Sequence, residues 1–351
     1  MLKTTPSLLI SLLVCACDDG SAGLTPDTST PDTSTPETSP ETSPPDTRPP
    51  DASPGCESPT LVMQLGTEHD DEVTALLGDD QRLWIGGYEG GITGVEQVDP
   101  AGRARGIVRA LDHEGATLVR HEVDSGVTDA IEALAFDGDD VVVLGRTKGA
   151  LVGASHGDWD AFIAVIADDV LTPKLQAGSE RPQHPRTLAR TDSGWIIGGF
   201  DDLWVPTNYV AAWSNPAFGF ADAALSSMTL TAWDTPADDV SWGSASAPDG
   251  LFMGWQRSTG AAKGAHVARL DHDGVTLWDV RLSPVGVDGI GALQLVGDVL
   301  IVAGTTYVTL GDAAYGEQDA FVAWLDPTDG RVLDVVQLGG THSEWVTAMA
   351  V

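Results

Sequence analysis

Acidic side chains are the most numerous groups in this sequence that could bind a ligand. Asp and Glu number 52 against 18 Lys and Arg, which gives a formal net charge of −34. Two clusters, Asp271 to Gly274 and Asp137 to Asp140, carry carboxylates at a spacing that could ligate calcium. Turns favour Asp and Gly at such positions for backbone reasons, so we expect no metal site and keep calcium as the alternative. The charge argues against nucleic acid as a partner.

A second candidate is a serine flanked by glycines, Gly153-Ala-Ser-His-Gly157. A nucleophilic serine in a Gly-x-Ser-x-Gly pattern needs a strained turn from a strand into a helix. Here the motif lies between two predicted β-strands, and the corresponding stretch of another repeat reads Gly311-Asp-Ala-Ala-Tyr-Gly316. We therefore predict no catalytic residue at this position.

Tryptophan is the aromatic residue in excess, with 11 copies against 4 Tyr and 7 Phe. Exposed indole rings can stack on sugars or on cationic groups, whereas most tryptophans in strands pack in the core. Four of them fall in or beside predicted loops and are the candidate ligand-stacking residues: Trp159, Trp204, Trp233 and Trp255. We expect a binding surface, if there is one, where the loops between the second and third strands of the repeats gather.

The elements that position these residues come from a repeat of roughly 50 residues. The phrase recurs as Asp160-Ala-Phe-Ile-Ala-Val-Ile166, Gly264-Ala-His-Val-Ala-Arg-Leu-Asp271 and Asp319-Ala-Phe-Val-Ala-Trp-Leu-Asp326. Each unit divides into four short strands, named a, b, c and d in chain order. Strand b is an apolar run that ends at glycine, as in Leu300-Ile-Val-Ala-Gly304, which is typical of a strand buried on both faces.

The strands recur five times, and Asp/Gly turns join a to b and c to d. In the third unit, strand c is placed at Tyr209-Val-Ala-Ala-Trp213. A spare strand d lies at Leu61 to Leu65 and a spare strand a at Trp345 to Ala350. The pattern predicts an all-β fold, a β-propeller of four-stranded antiparallel blades with five full repeats plus a partial one. Whether the ring is closed or the assembly open is left undecided.

These phrases, together with Gln337-Leu-Gly-Gly340, resemble the bacterial repeats of the seven-bladed-propeller type known as SBBP. The resemblance covers most of residues 60–351 and is weakest at 200–235. It implies an extracellular or surface propeller scaffold, and it implies nothing about a ligand.

The N-terminal region has a different composition. Leu8 to Val14 is a short apolar segment, and Val14-Cys15-Ala16-Cys17 resembles the lipobox of bacterial lipoproteins. The resemblance implies a signal peptide over 1–16 and lipid attachment at Cys17. Residues 17–59 are rich in Pro, Thr, Ser and Asp and predict a disordered tether, so the repeat domain is placed at 60–351.

The function expected from these features is a lipid-anchored propeller at the bacterial cell envelope, on the outer membrane or cell surface. It would act as a binding or interaction scaffold for a protein or glycan ligand, without catalysis and without a cofactor. The alternatives are a propeller-type glycan hydrolase or lyase, and a structural surface protein that associates through an unclosed sheet edge.

Overall fold

Alternating apolar strands and Asp/Gly turns fold this chain into β-sheet. The structure is a computed structural model, and it describes residues 66–67, 71–79, 81–90, 103–203, 213–232, 239–247, 249–258, 260–284, 288–311, 313–340, 342–344, 346 and 349. The described residues form twenty strands in five four-stranded antiparallel sheets, which confirms the predicted propeller class. The signal peptide, Cys17 and the tether lie outside the described residues, so those predictions stay predictions.

Each sheet is one repeat, and its strands follow the order a, b, c, d along the chain. Blade 1 comprises β1 Glu72–Gly78, β2 Leu83–Glu89, β3 Arg105–Leu111 and β4 Thr117–Val123. Blade 2 comprises β5 Asp129–Asp137, β6 Asp140–Thr147, β7 Asp160–Ala167 and β8 Val170–Ala177. Blade 3 comprises β9 Gln183–Thr191, β10 Gly194–Leu203, β11 Trp213–Asp222 and β12 Met228–Ala232. Blade 4 comprises β13 Asp239–Ala247, β14 Gly250–Arg257, β15 Gly264–Asp271 and β16 Thr276–Arg281. Blade 5 comprises β17 Gly289–Val296, β18 Val299–Thr306, β19 Asp319–Leu325 and β20 Val332–Leu338.

Strand b is buried on both faces because its alternate side chains enter two different cores. In β6, Val141 and Val143 pack with Trp84 of blade 1, whereas Val142 and Leu144 pack with side chains of blade 3. A comparable apolar cluster fills each of the other two interfaces between successive blades. Face-to-face packing of successive sheets is therefore what holds the array together.

The third unit differs from the sequence-based placement of strand c. The strand that pairs with β10 is β11, which begins at Trp213 and runs to Asp222. Pro216 and Gly219 within it weaken the strand signal in the sequence, because proline cannot donate to a ladder and glycine has no side chain to pack. The pairing tolerates both residues, with Pro216 opposite Phe200 and Gly219 opposite Ile197.

One leucine position of strand a shows how the blades depend on one another. Leu134, Leu188 and Leu293 occupy the same register and are 9%, 9% and 8% exposed, because each packs against the preceding blade. Their counterpart in blade 1, Leu76, is 49% exposed. No preceding blade covers it among the described residues.

The loops fall into two groups by topology. The b–c and d–a connections leave and enter every sheet at one end, which we call the b–c end, and the a–b and c–d hairpins lie at the other. The part of the chain that is described holds no helix long and apolar enough to cross a membrane.

Candidate functional site

Strand a of every blade carries one extra residue at the same place. The register of strand a against strand b shifts by one residue in all five blades, which is the mark of a β-bulge. The residues at the shift are Thr74, Glu132, Arg186, Trp242 and Gly291. In blade 1 the bulged residue reaches the next blade, where the Thr74 hydroxyl donates to the carbonyl of Ile131 at 2.6 Å.

In blades 2 and 3 the bulges place opposite charges together. Glu132 Oε1 lies 2.7 Å from Arg146 Nε, and Glu132 Oε2 accepts from Arg186 Nη1 at 2.8 Å. The Glu132 side chain is 2% exposed, so its charge needs both guanidinium groups to offset its desolvation. The carboxylate thereby joins two neighbouring sheets.

Arg146 is the centre of this arrangement. Its guanidinium carbon lies 4.4 Å from the ring centroid of Trp159, and its Nη1 lies 2.8 Å from His184 Nδ1. Because a guanidinium can only donate, Nδ1 of His184 is the acceptor in this contact. Burial lowers the pKa of Arg146, and the nearby Arg186 adds to the effect while Glu132 opposes it.

Further cationic and aromatic groups surround Arg146 at the b–c end. Lys148 Nζ lies 4.9 Å from the Trp159 centroid and 2.9 Å from Asp158 Oδ1. The His184 ring stacks on Phe200 at 4.7 Å between centroids, and the Arg186 guanidinium lies 5.7 Å from the Phe200 centroid. The side chains of Lys148 and Arg186 each keep 27% of their surface exposed, so positive charge reaches solvent here. We call Glu132, Arg146, Lys148, Trp159, His184, Arg186 and Phe200 the blade 2–3 cluster.

Two copies of an Asp–Gln pair hold the b–c loops in place. In blade 2, Asp160 Oδ2 accepts from Gln176 Nε2 at 2.7 Å and from the backbone N–H of His156 at 2.9 Å. Gln176 Oε1 in turn accepts from the N–H groups of Leu151 and Val152. Blade 5 repeats this with Asp319 and Gln337, which are also 2.7 Å apart. The recurrence of Asp and Gln in the sequence phrases therefore has a structural cause.

The tryptophans predicted to stack on a ligand are not open rings where the structure describes them. Trp159 is 5% exposed and faces Arg146 and Lys148, and Trp255 is 1% exposed and stacks on His266 at 5.3 Å. Trp204 and Trp233 lie outside the described residues. The stacking role stays a prediction for these four, and the faces of the two described rings are covered by side chains of this chain.

The other sequence motifs form loops and turns between strands. The Gly153 to Gly157 segment is a loop between β6 and β7, with Gly153 at a φ of +80°, and it leads into a strand instead of a helix. Asp271 Oδ1 accepts from the N–H groups of Asp273 and Val275, which closes the turn. Asp137 pairs with Arg190 at 3.3 Å. Among the described residues no three His, Cys, Asp or Glu side chains converge as a metal ligand set.

The cluster was not evident in the sequence. Its members come from β5, β6, β9, β10 and the loop before β7, so no local spacing connects them. The signal that could have found it is the concentration of Arg146, Lys148, Arg181 and Arg186 in a chain with only 18 Lys and Arg.

Comparison with known proteins gives a likeness of fold. No family model and no curated protein matches the chain. A chimera of apocarotenoid oxygenase and RPE65 is 13% identical, covering 83% of this chain and 69% of its own length, with a TM-score of 0.49. Cobalt-substituted Synechocystis apocarotenoid oxygenase is 14% identical over 76% of this chain and 61% of its own, with a TM-score of 0.43. Drosophila Semaphorin 1b, extracellular domains 1–2, is 11% identical over 74% and 55%, with a TM-score of 0.40.

The comparisons give no support to the scaffold function expected from the sequence, which is withdrawn. Two of the three similar structures described above are apocarotenoid oxygenase or a chimera of it. At such identities a match concerns the fold alone and transfers neither an activity nor a substrate to this chain.

Proposed function

We propose that this chain binds a small molecule through an anionic oxygen group at the blade 2–3 cluster. The observation that carries the proposal is the fixed pair of guanidinium groups of Arg146 and Arg186. Glu132 and two aromatic rings hold this pair, and Lys148 lies beside it at the solvent boundary. Such a compact set of donors suits one small acidic group, and it differs from the broad surface of a scaffold.

The charge of the whole chain favours this location. With a net charge of −34, most of the surface repels an anion. Arginine presents planar donors that match carboxylate and phosphate oxygens, and the Glu132 carboxylate fixes the orientation of two such groups before a ligand arrives. Preorganised donors lose little entropy on binding.

The aromatic rings support recognition of the rest of the ligand. The stacked pair of His184 and Phe200 lies next to Arg186. A ligand with a flat or apolar body beside its acidic group would suit this combination.

The test uses inorganic phosphate and sulfate as probes, with chloride at equal ionic strength as the reference. Titration calorimetry on the full chain should show saturable binding of phosphate or sulfate, and the Lys148→Met variant should bind about tenfold more weakly. The matched control is Lys174→Met, which removes the same charge from an exposed position on β8. The proposal is abandoned if neither probe binds saturably, or if both variants lose affinity equally.

We also propose that the chain is attached to a bacterial envelope membrane by lipid at Cys17. The support is the sequence pattern Val14-Cys15-Ala16-Cys17 after a short apolar segment. Metabolic labelling with a radioactive fatty acid should mark the wild-type protein and leave Cys17→Ala unlabelled. Equal labelling of both would rule the attachment out.

A further inference from the structure

Blades 1, 2 and 5 repeat one contact at the b–c end, and the copy at blade 5 differs in charge. The residue that heads strand a of a blade lies beside the residue that heads strand c of the blade before it; we call this place a junction. A backbone hydrogen bond identifies each junction. One runs from Asp129 N to Ala104 O at 3.0 Å, and another from Gln183 N to Trp159 O at 2.9 Å. The same bond runs from Glu344 N to Gln318 O at 2.8 Å, so the C-terminal segment forms a junction with blade 5.

The side-chain types at the junctions follow a pattern. At the first, second and fifth junctions, numbered by the blade that supplies strand c, the pairs are Arg105 with Asp129, Asp160 with Gln183, and Asp319 with Glu344. The first and second contain a single carboxylate each. The fifth brings two carboxylates to one place.

The geometry of the fifth junction places the two acids together. Asp319 Oδ1 and Glu344 Oε2 both lie within 3 Å of the point where a Cβ on Gly339 would stand. At the second junction, Asp160 Oδ1 lies in the same way against Gly178, with Gln183 Oε1 at 3.1 Å from the equivalent point. The fifth junction therefore has a carboxylate oxygen where the second has an amide oxygen.

Oxygens at the fifth junction are buried without a protein donor. Asp319 Oδ1, Glu344 Oε2 and Gln318 Oε1 have no hydrogen-bond partner among the described residues. Asp319 and Gln318 are each 2% exposed. Two negative charges a few ångströms apart repel each other, and burial adds a desolvation cost. Such an arrangement is stable when a positive charge lies between the acids.

We propose that a divalent cation, calcium, binds at the fifth junction between Asp319 and Glu344. All the available donors are oxygens, which calcium prefers, and the Gln318 amide oxygen offers a further one. The site has two carboxylates, and among the described residues no third acidic or imidazole side chain joins them.

The cation would attach the C-terminal segment to blade 5. Besides the backbone bond of Glu344, a parallel bridge joins Ser343 to Gln318. Asp319 belongs to β19 and is fixed by Gln337, so a metal shared with Glu344 ties the segment after β20 to a rigid sheet. This inference does not depend on the anion site, since the two places share no residue.

The experiment measures calcium binding by the full chain after treatment with a chelator. Calorimetry should show a calcium site that the Glu344→Gln variant weakens about tenfold or more, because the variant recreates the pairing of one carboxylate with one amide seen for Asp160 and Gln183. The matched control is Glu180→Gln, which makes the same change at an exposed position near the second junction and should bind calcium as the wild type does.

Thermal unfolding distinguishes a bound cation from a proton shared between the two carboxyl groups, which would also relieve their repulsion. Calcium should raise the unfolding temperature of the wild type by several degrees and leave that of Glu344→Gln nearly unchanged. The inference is overturned if the wild type binds no calcium or if Glu344→Gln binds it equally well. It is also overturned if the unfolding temperature of Glu344→Gln exceeds that of the wild type by the same margin with and without calcium.

Discussion

The second and fifth junctions have the same architecture and different chemistry. Both contain an Asp held by a Gln from strand d and a glycine against the second carboxylate oxygen. The second is completed by Gln183, and the bulged Glu132 adds an ion-paired clamp between sheets. The fifth is completed by Glu344, and its bulged residue is Gly291, whose missing side chain leaves room for the carbonyl of Val346. Repetition therefore fixes the backbone, while single residues decide what each junction can bind.

Loss of the clamp at the second junction should have the largest effect. In Glu132→Ala, Arg146 and Arg186 stay buried or half-buried without their carboxylate, and we expect a loss of about 3–5 kcal/mol in the free energy of unfolding. Urea titration monitored by tryptophan fluorescence measures it. Glu122→Ala, on the half-exposed surface of β4, is the control and should cost less than about 1 kcal/mol. A similar small loss for Glu132→Ala would mean that the clamp does not hold the two sheets together.

The glycines test whether the two junctions share one packing. A Cβ at Gly178 would overlap Asp160 Oδ1, and a Cβ at Gly339 would overlap Asp319 Oδ1. We expect Gly178→Ala and Gly339→Ala each to destabilise by about 1–3 kcal/mol, as overpacking does. In Gly78→Ala the nearest atoms are 3.9 Å away, so this control should change stability little. A large difference between the two junctions would show that they are not packed alike.

The glutamines test whether the loops are held in the same way. Gln176→Ala and Gln337→Ala each remove a donor to a buried Asp and an acceptor for loop N–H groups. We expect each to cost about 1–2 kcal/mol in unfolding free energy. Gln81→Ala, at an exposed turn position, is the reference. Unequal costs in urea titrations would show that one of the b–c loops has additional support.

A smaller effect should appear in the pH dependence at blade 1. Burial acts to raise the pKa of Glu89, but hydrogen bonds and charge from Arg120 and Arg109 outweigh it and lower the pKa. Its contribution to stability is then complete above about pH 4.5 and is lost as the pH falls through the folded-state pKa. Urea midpoints between pH 4 and pH 7 should rise less steeply in Glu89→Gln than in the wild type.

Asp129, which heads the first junction, should show the opposite sign. Burial raises its pKa, although hydrogen bonds from Ser125 and Thr147 offset part of the shift. The native state then binds the proton more tightly than the unfolded chain, so stability falls as the pH rises through the folded-state pKa. Asp129→Asn should therefore gain stability relative to the wild type on going from acid to neutral pH. The same slope in both Glu89→Gln and Asp129→Asn would contradict these assignments.

Much of the fold was predictable because it rests on local patterns. Apolar runs ending in glycine, such as Val141 to Gly145, and Asp/Gly turns marked the strands in the right order and number. The third unit failed where Pro216 and Gly219 interrupt the alternation within β11. At such positions, hydrogen bonds to the neighbouring strands and packing on both faces of the sheet outweigh a weak local strand propensity.

The candidate sites were much less predictable. Glu132 and Arg186 meet because each is the extra residue of a bulge, and a bulge depends on pairing between strands. The pairing of Asp319 with Glu344 likewise depends on which strand heads adjoin. The sequence did contain the repeated Asp and Gln phrases, but their meaning required the hydrogen bonds that connect them.

The difference in burial among the strand-a leucines distinguishes the first blade from the later ones. Each of Leu134, Leu188 and Leu293 is covered by the blade that comes earlier in the chain, whereas Leu76 is half exposed. During synthesis the earlier blade leaves the ribosome first, so each new repeat meets a surface that already exists. The polypeptide can thus assemble progressively from its amino-terminal side, one blade at a time.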